Sequence, residues 1–250
     1  MFKQLILRSQ RLHSWLRICR RFIGCLLGHD VYIRPTLNVV TERHGSEYGG
    51  WTILKDSLTS RATVISAGLG HDITFDRSII EKYGCQIHGF DPDPRAFAYH
   101  AEVDLPGGLI WTRAGIGAKA GKLKFYRPSN ANWISGTFVS GAIAHCSDFD
   151  MVEVLDVASV LNSFPCGVDL FKMDVEGAEY EIVERLINSG VISRIRQLLV
   201  EFHHGKRFRG RETRRAVNLI LAQSFELFHV SELGCEFAFC RPPTKKYPIQ

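Results

Sequence analysis

From residue 61 onward the chain alternates short apolar runs with helical stretches, and it closes on two strand-like runs too near each other to hold a helix. No other feature of the sequence restricts the fold as much. "ATVISAG" (62–68) reads as a buried strand stopped by Gly68, and "ITFDRSIIEKYG" (73–84) as a helix stopped by Gly84. "CQIHGFD" (85–91) is a second strand, "DPRAFAYHAEV" (93–103) a short helix with Pro94 in its first turn, and "GLIWTRAG" (108–115) a third strand. Together they make a βαβαβ unit of mononucleotide-binding type. After a break in rhythm, strand "VDLFKMD" (168–174), a helix over 177–190, strand "IRQLLVEFH" (195–203) and a helix over 211–224 restore the pattern. "FELFHVS" and "CEFAFCR" are separated only by Glu232, Leu233 and Gly234, so they are expected to be antiparallel neighbours.

The break, about residues 116–165, reads as an insertion: an added strand at "GKLKFYRPS", a glycine-rich loop, then a strand and helical turn at "FDMVEVLDVASVL". The loop from Asn130 to Ser140, with Trp133 and Phe138, is expected to shape an acceptor pocket. With 45% hydrophobic and 23% charged residues, the 250-residue chain has material for one large domain. We place it over residues 45–250, behind a basic helix and linker over 1–44. The seven cysteines are scattered without a Cys-x-x-Cys pair, which fits reduced thiols in a cytosolic protein better than a disulfide framework or zinc site.

The net charge of +5 is local. Residues 1–30 hold Lys3, Arg8, Arg11, Arg17, Arg20 and Arg21 against Asp30 alone, and the remainder is balanced. In this segment Leu12, Trp15, Leu16, Cys19, Phe22, Ile23, Leu26 and Leu27 fall at helical intervals. Its apolar runs are too short to span a bilayer. Two readings stay open: a helix packed on the domain's own surface, or peripheral contact of residues 12–27 with an anionic membrane.

In an open parallel sheet, ligands gather outside the carboxyl ends of the strands. Here those ends carry Gly68-Leu69-Gly70, Asp91, Gly115, Asp174 and the run from Glu201 to His204. Gly68 and Gly70 permit close approach of a ligand to the backbone at a helix mouth, although a tight turn without a ligand explains them as well. Asp91, about twenty residues on, stands where an acid grips ribose hydroxyls. Asp93, between Pro92 and Pro94, reads as a helix cap. A carboxylate such as Asp174 at the end of a buried strand is expensive unless it faces a polar crevice. Glu176 follows at a helix N-terminus, where it either caps the helix or joins the chemistry.

"LFKMDVEGAEYEIV", together with "VISAGLGHDITFD", "HGFDPDPRAF" and "LLVEFHH" in the same order, resembles the FkbM family of S-adenosylmethionine-dependent methyltransferases. "YGGW" (48–51) resembles the lead-in of one branch, and the match covers about residues 45–240. The resemblance implies a class I methyltransferase fold: a mostly parallel, Rossmann-like seven-stranded α/β sheet whose last strand is antiparallel, with helices on both faces. It implies S-adenosylmethionine as cofactor, with a binding set of Ser66, Ala67, Gly68, Gly70, Asp72, Asp91, Gly115 and Asp174. Within that set Gly68 and Gly70 would meet the methionine portion, Asp91 the ribose, the Gly115–Gly117 turn the adenine edge, and Asp174 the transferring methyl. Two positions depart from the family pattern. Ser66 replaces an acid, and Asp72 replaces a third glycine and would hold the cofactor ammonium instead.

Methyl transfer to a hydroxyl needs alignment and a base. His203 and His204 are the best placed of the ten histidines, and Asp174, Glu176, Glu201 and His203 form the expected catalytic group. Asp174, Glu201 and His203 either hold a divalent metal or work without one as base and orienter; the reading favours the second and assigns no metal ligand. The expected function is O-methylation of a small or medium acceptor, a glycan or a secondary metabolite. The basic run "GKRFRGRETRR" (205–215) is either a solvated helix face or an attractor of anionic substrate, and no RNA-reading motif accompanies it, so nucleic acid is not an expected partner. A nicotinamide-dependent oxidoreductase and a non-catalytic binding domain of the same fold are the alternatives.

Overall fold

The computed structural model describes residues 21–102, 105–127, 136, 138, 148–204 and 209–242. In chain order the strands are β1 (Thr41–His44), β2 (Trp51–Leu54), β3 (Thr63–Ala67), β4 (Gln86–Phe90), β5 (Leu109–Thr112), β6 (Gly115–Gly117), β7 (Gly121–Tyr126), β8 (Phe149–Asp156), β9 (Val168–Met173), β10 (Ile195–Glu201), β11 (Glu226–Val230) and β12 (Glu236–Cys240). The helices between them are α1 (Thr74–Tyr83), α2 (Pro94–Ala101), α3 (Val157–Asn162), α4 (Glu179–Asn188) and α5 (Gly210–Leu221).

Seven strands form the main sheet in the order β5-β4-β3-β9-β10-β12-β11. The pairs from β5 to β10 are parallel, whereas β12 is antiparallel to both β10 and β11. Because successive strand residues face opposite sides, adjacent apolar residues feed two cores. Ile65, Phe171, Leu198 and Val200 pack with Ile182 and Leu186 of α4 and Val217 and Ile220 of α5. Their neighbours Val64, Leu170 and Leu199 face the other way, onto Phe75 and Ile79 of α1 and onto Trp51 and Ile53 of β2. A strand buried on both sides must be apolar at every position, which explains the unbroken runs in the sequence.

β1 and β2 pair as an antiparallel hairpin that covers the second face. Residues on both sides of the 44/45 boundary drawn from the sequence therefore belong to one hairpin. Gln197, buried in β10, secures its far end: the Leu54 N–H donates to its Oε1 at 3.0 Å, and its Nε2 donates to Ser57 Oγ at 2.9 Å.

The insertion carries its own three-stranded sheet, in the order β6-β8-β7. This corrects the reading of Gly115 as the end of the third parallel strand and of Gly115–Gly117 as a turn. β5 stops at Thr112, and Gly115–Gly117 pair instead with Val154–Asp156 of β8. Asp156 ends β8, caps α3 through the Ser159 N–H, and accepts Nε and Nη2 of Arg185 in α4 at 2.9 Å each. Of the loop from Asn130 to Ser140, Trp133 lies outside the described residues, while Phe138 packs against Phe125 of β7.

Of the helix expected over residues 12–27, the part described is residues 21–27, and it is helical. Arg21 ties it down through Nη1 to the Glu232 carbonyl at 2.8 Å and an ion pair with Asp30 at 3.5 Å. Of its apolar residues, Phe22, Ile23, Leu26 and Leu27 are each more than half exposed. No helix among the described residues is long and apolar enough to cross a membrane.

Glu42 of β1 clamps the hairpin to α1 by accepting hydrogen bonds from Lys82 Nζ, the Tyr83 hydroxyl and His44 Nε2. Burial would raise its pKa, but these donors outweigh burial and hold it at about 2, below its ordinary 4.5. The clamp therefore contributes stability above pH 4.5 that is lost as the pH falls toward 2. Glu42→Gln is expected to cost about 1–2 kcal/mol near neutral pH and to flatten that acid-side loss, as read by urea unfolding at stepped pH.

Candidate active site

The site begins where β3 and β9 end. The Gly68 N–H donates to the Phe90 carbonyl at 2.8 Å and the Asp174 N–H to the Ala67 carbonyl at 3.0 Å, so the chain leaves β3 against both neighbouring strands. Gly68 has φ +81°, and a Cβ there would lie 1.8 Å from the Asp174 carbonyl oxygen. Only glycine fits that position. At Gly70, φ +58°, a Cβ would meet nothing within 4 Å, because this part of the backbone faces the crevice.

Asp91, just beyond β4, is bound to that turn. Its Oδ2 accepts the Gly70 N–H and its Oδ1 the Asp93 N–H, both at 2.8 Å. Burial pushes this carboxyl up against the pull of the two donors. Each oxygen keeps a lone pair for a further donor, which suits a vicinal diol. Asp93 caps α2 as read from the sequence, accepting the Arg95 N–H at 2.9 Å.

β9 and β10 bring the remaining groups. Asp174 and Glu176 follow β9, with Glu176 in a left-handed conformation, φ +50°, before Gly177 at +110°. Glu179, in the first turn of α4, is fully buried and accepts the N–H groups of Gly177 and His203, each at 2.7 Å. His203, beyond β10, is buried with Nδ1 3.4 Å from Glu179 Oε1. Its Nε2 lies 3.3 Å from Glu176 Oε2 and 3.7 Å from both Asp174 Oδ1 and Glu201 Oε1. Burial works against charge on this ring, but the Glu179 contact and the charges of Glu176 and Asp174 lift its pKa to about 10. Burial and the Asp174 charge raise Glu201 to about 8. Glu179 is held low, since its bonds with His203 outweigh its burial.

These groups line one crevice of about 820 Å³, which takes in Gly68, Gly70, Asp72, Asp91, Gly115, Asp174, Glu176, Glu201 and His203. Its volume is in the range of small-ligand pockets. Some expectations need correction. Ser66 and Ala67 are fully buried within β3 and do not line the crevice: Ala67 belongs to the core, and the Ser66 hydroxyl sits beside the buried Asp76. Asp72 reaches the crevice wall with its carboxylate already engaged by the hydroxyls of Ser46 and Thr74 and the Thr74 N–H, which join the hairpin loop to the start of α1. His204 turns away, with Nε2 3.1 Å from Asp30 Oδ1. His203, expected as the base, stands at the centre of this group, with Nε2 facing Glu176, Asp174 and Glu201 and Nδ1 facing Glu179.

Three residues here escaped the sequence reading. Lys172 in β9 is 5% exposed, and its Nζ donates to the Gly68 carbonyl while standing 5.6 Å from the Trp51 ring centroid. A lysine inside an apolar strand was the available signal. Trp51 comes from β2 and Glu179 from α4; neither falls at the end of a parallel strand, the place where the reading looked.

The model of the methyltransferase FkbM domain matches residues 59–227, well over half of the chain. The chain belongs to the FkbM methyltransferase family. Its curated relatives include probable methyltransferase-like protein 24 of Rattus norvegicus, 28% identical over 146 residues, or 58% of this chain and 34% of that protein. The human protein of the same name is 28% identical over 139 residues, 55% of this chain and 31% of that one. The FkbM-family chain thus spans about a third of the length of these relatives. Among solved structures, the FkbM methyltransferase of Methylobacillus flagellatus KT aligns with a TM-score of 0.46 at 11% identity, covering 73% of this chain and 44% of that one. A methyltransferase from Pyrococcus furiosus aligns with a TM-score of 0.38 at 8% identity, covering 75% and 78%.

The two glycines of the FkbM-family crevice are expected to respond differently to alanine. Gly68→Ala drives a side chain into the Asp174 backbone and should cost at least about 3 kcal/mol or abolish folding. Gly70→Ala meets open space and should cost only the left-handed strain of about 1 kcal/mol, while its methyl intrudes on the ligand site. Thermal unfolding of the two variants separates these outcomes.

Proposed function

We propose that the protein is a class I, S-adenosylmethionine-dependent O-methyltransferase whose acceptor is a hydroxyl of a glycan or secondary metabolite. The observation that carries this reading is the Gly68–Gly70 turn fastened to Asp91 at the mouth of one crevice with Asp174. The residues fit the cofactor: Gly70 leaves room over the backbone, and Asp91 is held by two N–H donors with a lone pair free on each oxygen. Asp91 would hold the ribose hydroxyls, and Asp174 would stand beside the sulfonium. Family membership supports the same assignment.

When bound, S-adenosylmethionine supplies a methyl group on a sulfonium, whose displacement requires the acceptor oxygen in line and its proton removed. The groups placed to accept it are His203 Nε2 and the carboxylates of Asp174 and Glu201, each 3.7 Å from that nitrogen. The buried Lys172 and Trp51 close the crevice behind the turn, which limits water at the reacting centre.

Calorimetric titration tests the reading. Micromolar binding of S-adenosylmethionine and S-adenosylhomocysteine is expected, with none of NAD, and Asp91→Ala should weaken it by a factor of at least about 100, the lower bound for two lost hydrogen bonds to a charged acceptor. Binding of NAD instead, or of no nucleotide, overturns it.

The exposed face of Phe22, Ile23, Leu26 and Leu27, preceded in sequence by Arg8, Arg11, Arg17 and Arg20, supports peripheral attachment to an anionic membrane. Co-sedimentation with phosphatidylserine-containing vesicles but not with neutral ones is expected, and loss of it in the Phe22→Ser, Leu26→Ser double variant. Equal sedimentation with neutral vesicles, or none with either, contradicts it.

A further inference from the structure

We propose that Asp174, Glu176 and His203 form a binding site for one divalent cation of the magnesium–manganese class. Each offers a donor atom, and the three atoms lie within 4.8 Å of one another. They come from separate parts of the chain: Asp174 and Glu176 from the turn after β9, His203 from the segment after β10.

Three features distinguish this group from an ordinary ion-paired histidine. First, the oxygens gather around Nε2 without closing on it. The separations of 3.3 and 3.7 Å from Glu176 and Asp174 are longer than the roughly 2.7–2.9 Å of a charge-assisted hydrogen bond. Donors about 2.1 Å from a shared ion stand about 3.0 Å apart at right angles and about 3.4 Å apart at tetrahedral angles, so an ion shared by Nε2 and either oxygen needs only small adjustments. Second, the ring is oriented from behind. Glu179 faces Nδ1 at 3.4 Å and is itself fixed by two backbone N–H groups, the carboxylate–histidine arrangement that supports metal-bound imidazoles. Third, His203 is 92% buried by its 8% exposure, yet its Nε2 points at the crevice. Glu201 Oε1, 3.7 Å from the same nitrogen, stands beside the ion as a further oxygen. One nitrogen among carboxylate oxygens favours a hard cation over a thiophilic one.

For its role in the reaction the inference rests on the methyl-transfer reading; for the binding itself it does not. The ion would polarise the acceptor hydroxyl, and the released proton would pass to the Glu201 carboxylate.

The experiment titrates EDTA-treated full-length protein with Mn²⁺, following the loss of the free-ion electron paramagnetic resonance signal. S-adenosylhomocysteine calorimetry is run on the same metal-free sample. One Mn²⁺ per chain is expected, with affinity reduced at least tenfold in Asp174→Asn, in Glu176→Gln and in His203→Ala, and unchanged in Glu184→Gln on the exposed side of α4. Asp174→Asn and Glu176→Gln preserve shape, so they stay informative if His203→Ala does not fold; circular dichroism decides that point. No Mn²⁺ binding at millimolar concentration, binding unaltered in the two isosteric variants, or binding of Zn²⁺ alone would overturn the site. Retained S-adenosylhomocysteine binding alongside any of these would leave the cofactor reading intact and place the failure in the cation alone.

Discussion

The ends of β3 and β9 meet backbone to backbone, with no side chain between them, and the rest of the site depends on that contact. Gly68 lies against the Asp174 carbonyl so closely that a single methyl group has no room. Because the turn is pressed onto β9, the Gly68 carbonyl reaches the buried ammonium of Lys172, and the Gly70 N–H reaches Asp91. Three strands are fastened together through one peptide segment. The crevice is the space left above it.

Charge in that space is arranged by burial. Asp174, Glu201 and Glu236 are all pushed up by burial, while His203 is lifted by the carboxylates around it. Lys172 interacts with Asp76, Asp91, Asp174 and Glu236, and so serves both the helix side and the crevice side of the sheet. Such a concentration of ionisable groups would be costly in a core. Here it stands at the sheet's carboxyl edge, where a ligand or ion can compensate it.

The parallel strands were legible because residues such as those of "VDLFKMD" are buried on both faces and leave an apolar run with a carboxylate at its end. The closing hairpin was legible from the shortness of its linker. β1 and β6 were not: four and three residues, respectively, with mixed burial or glycine at both ends, give no period to detect. Gly68, Gly70, Asp91, Asp174, Glu176, Glu201 and His203 could be gathered into one crevice because parallel strand order brings their ends together. Ser66 and Asp72 show where position in a motif misleads. One side chain points behind the strand, and the other is committed to a hydroxyl of the neighbouring loop. Glu179 was invisible for a different reason, since its role comes from a helix turn folding back onto the His203 N–H, a contact that no spacing encodes.

The place of β12 in the sheet has a bearing on how the chain is completed during synthesis. It lies between β10 and β11 and runs against both, although it follows them in sequence. Until β12 is in place, β10 keeps an unpaired edge and β11 has no partner strand in the sheet. Unpaired edges recruit foreign strands. The five residues from Glu236 to Cys240 are thus the link through which β11 joins the sheet, and translation past them is what makes the seven strands continuous.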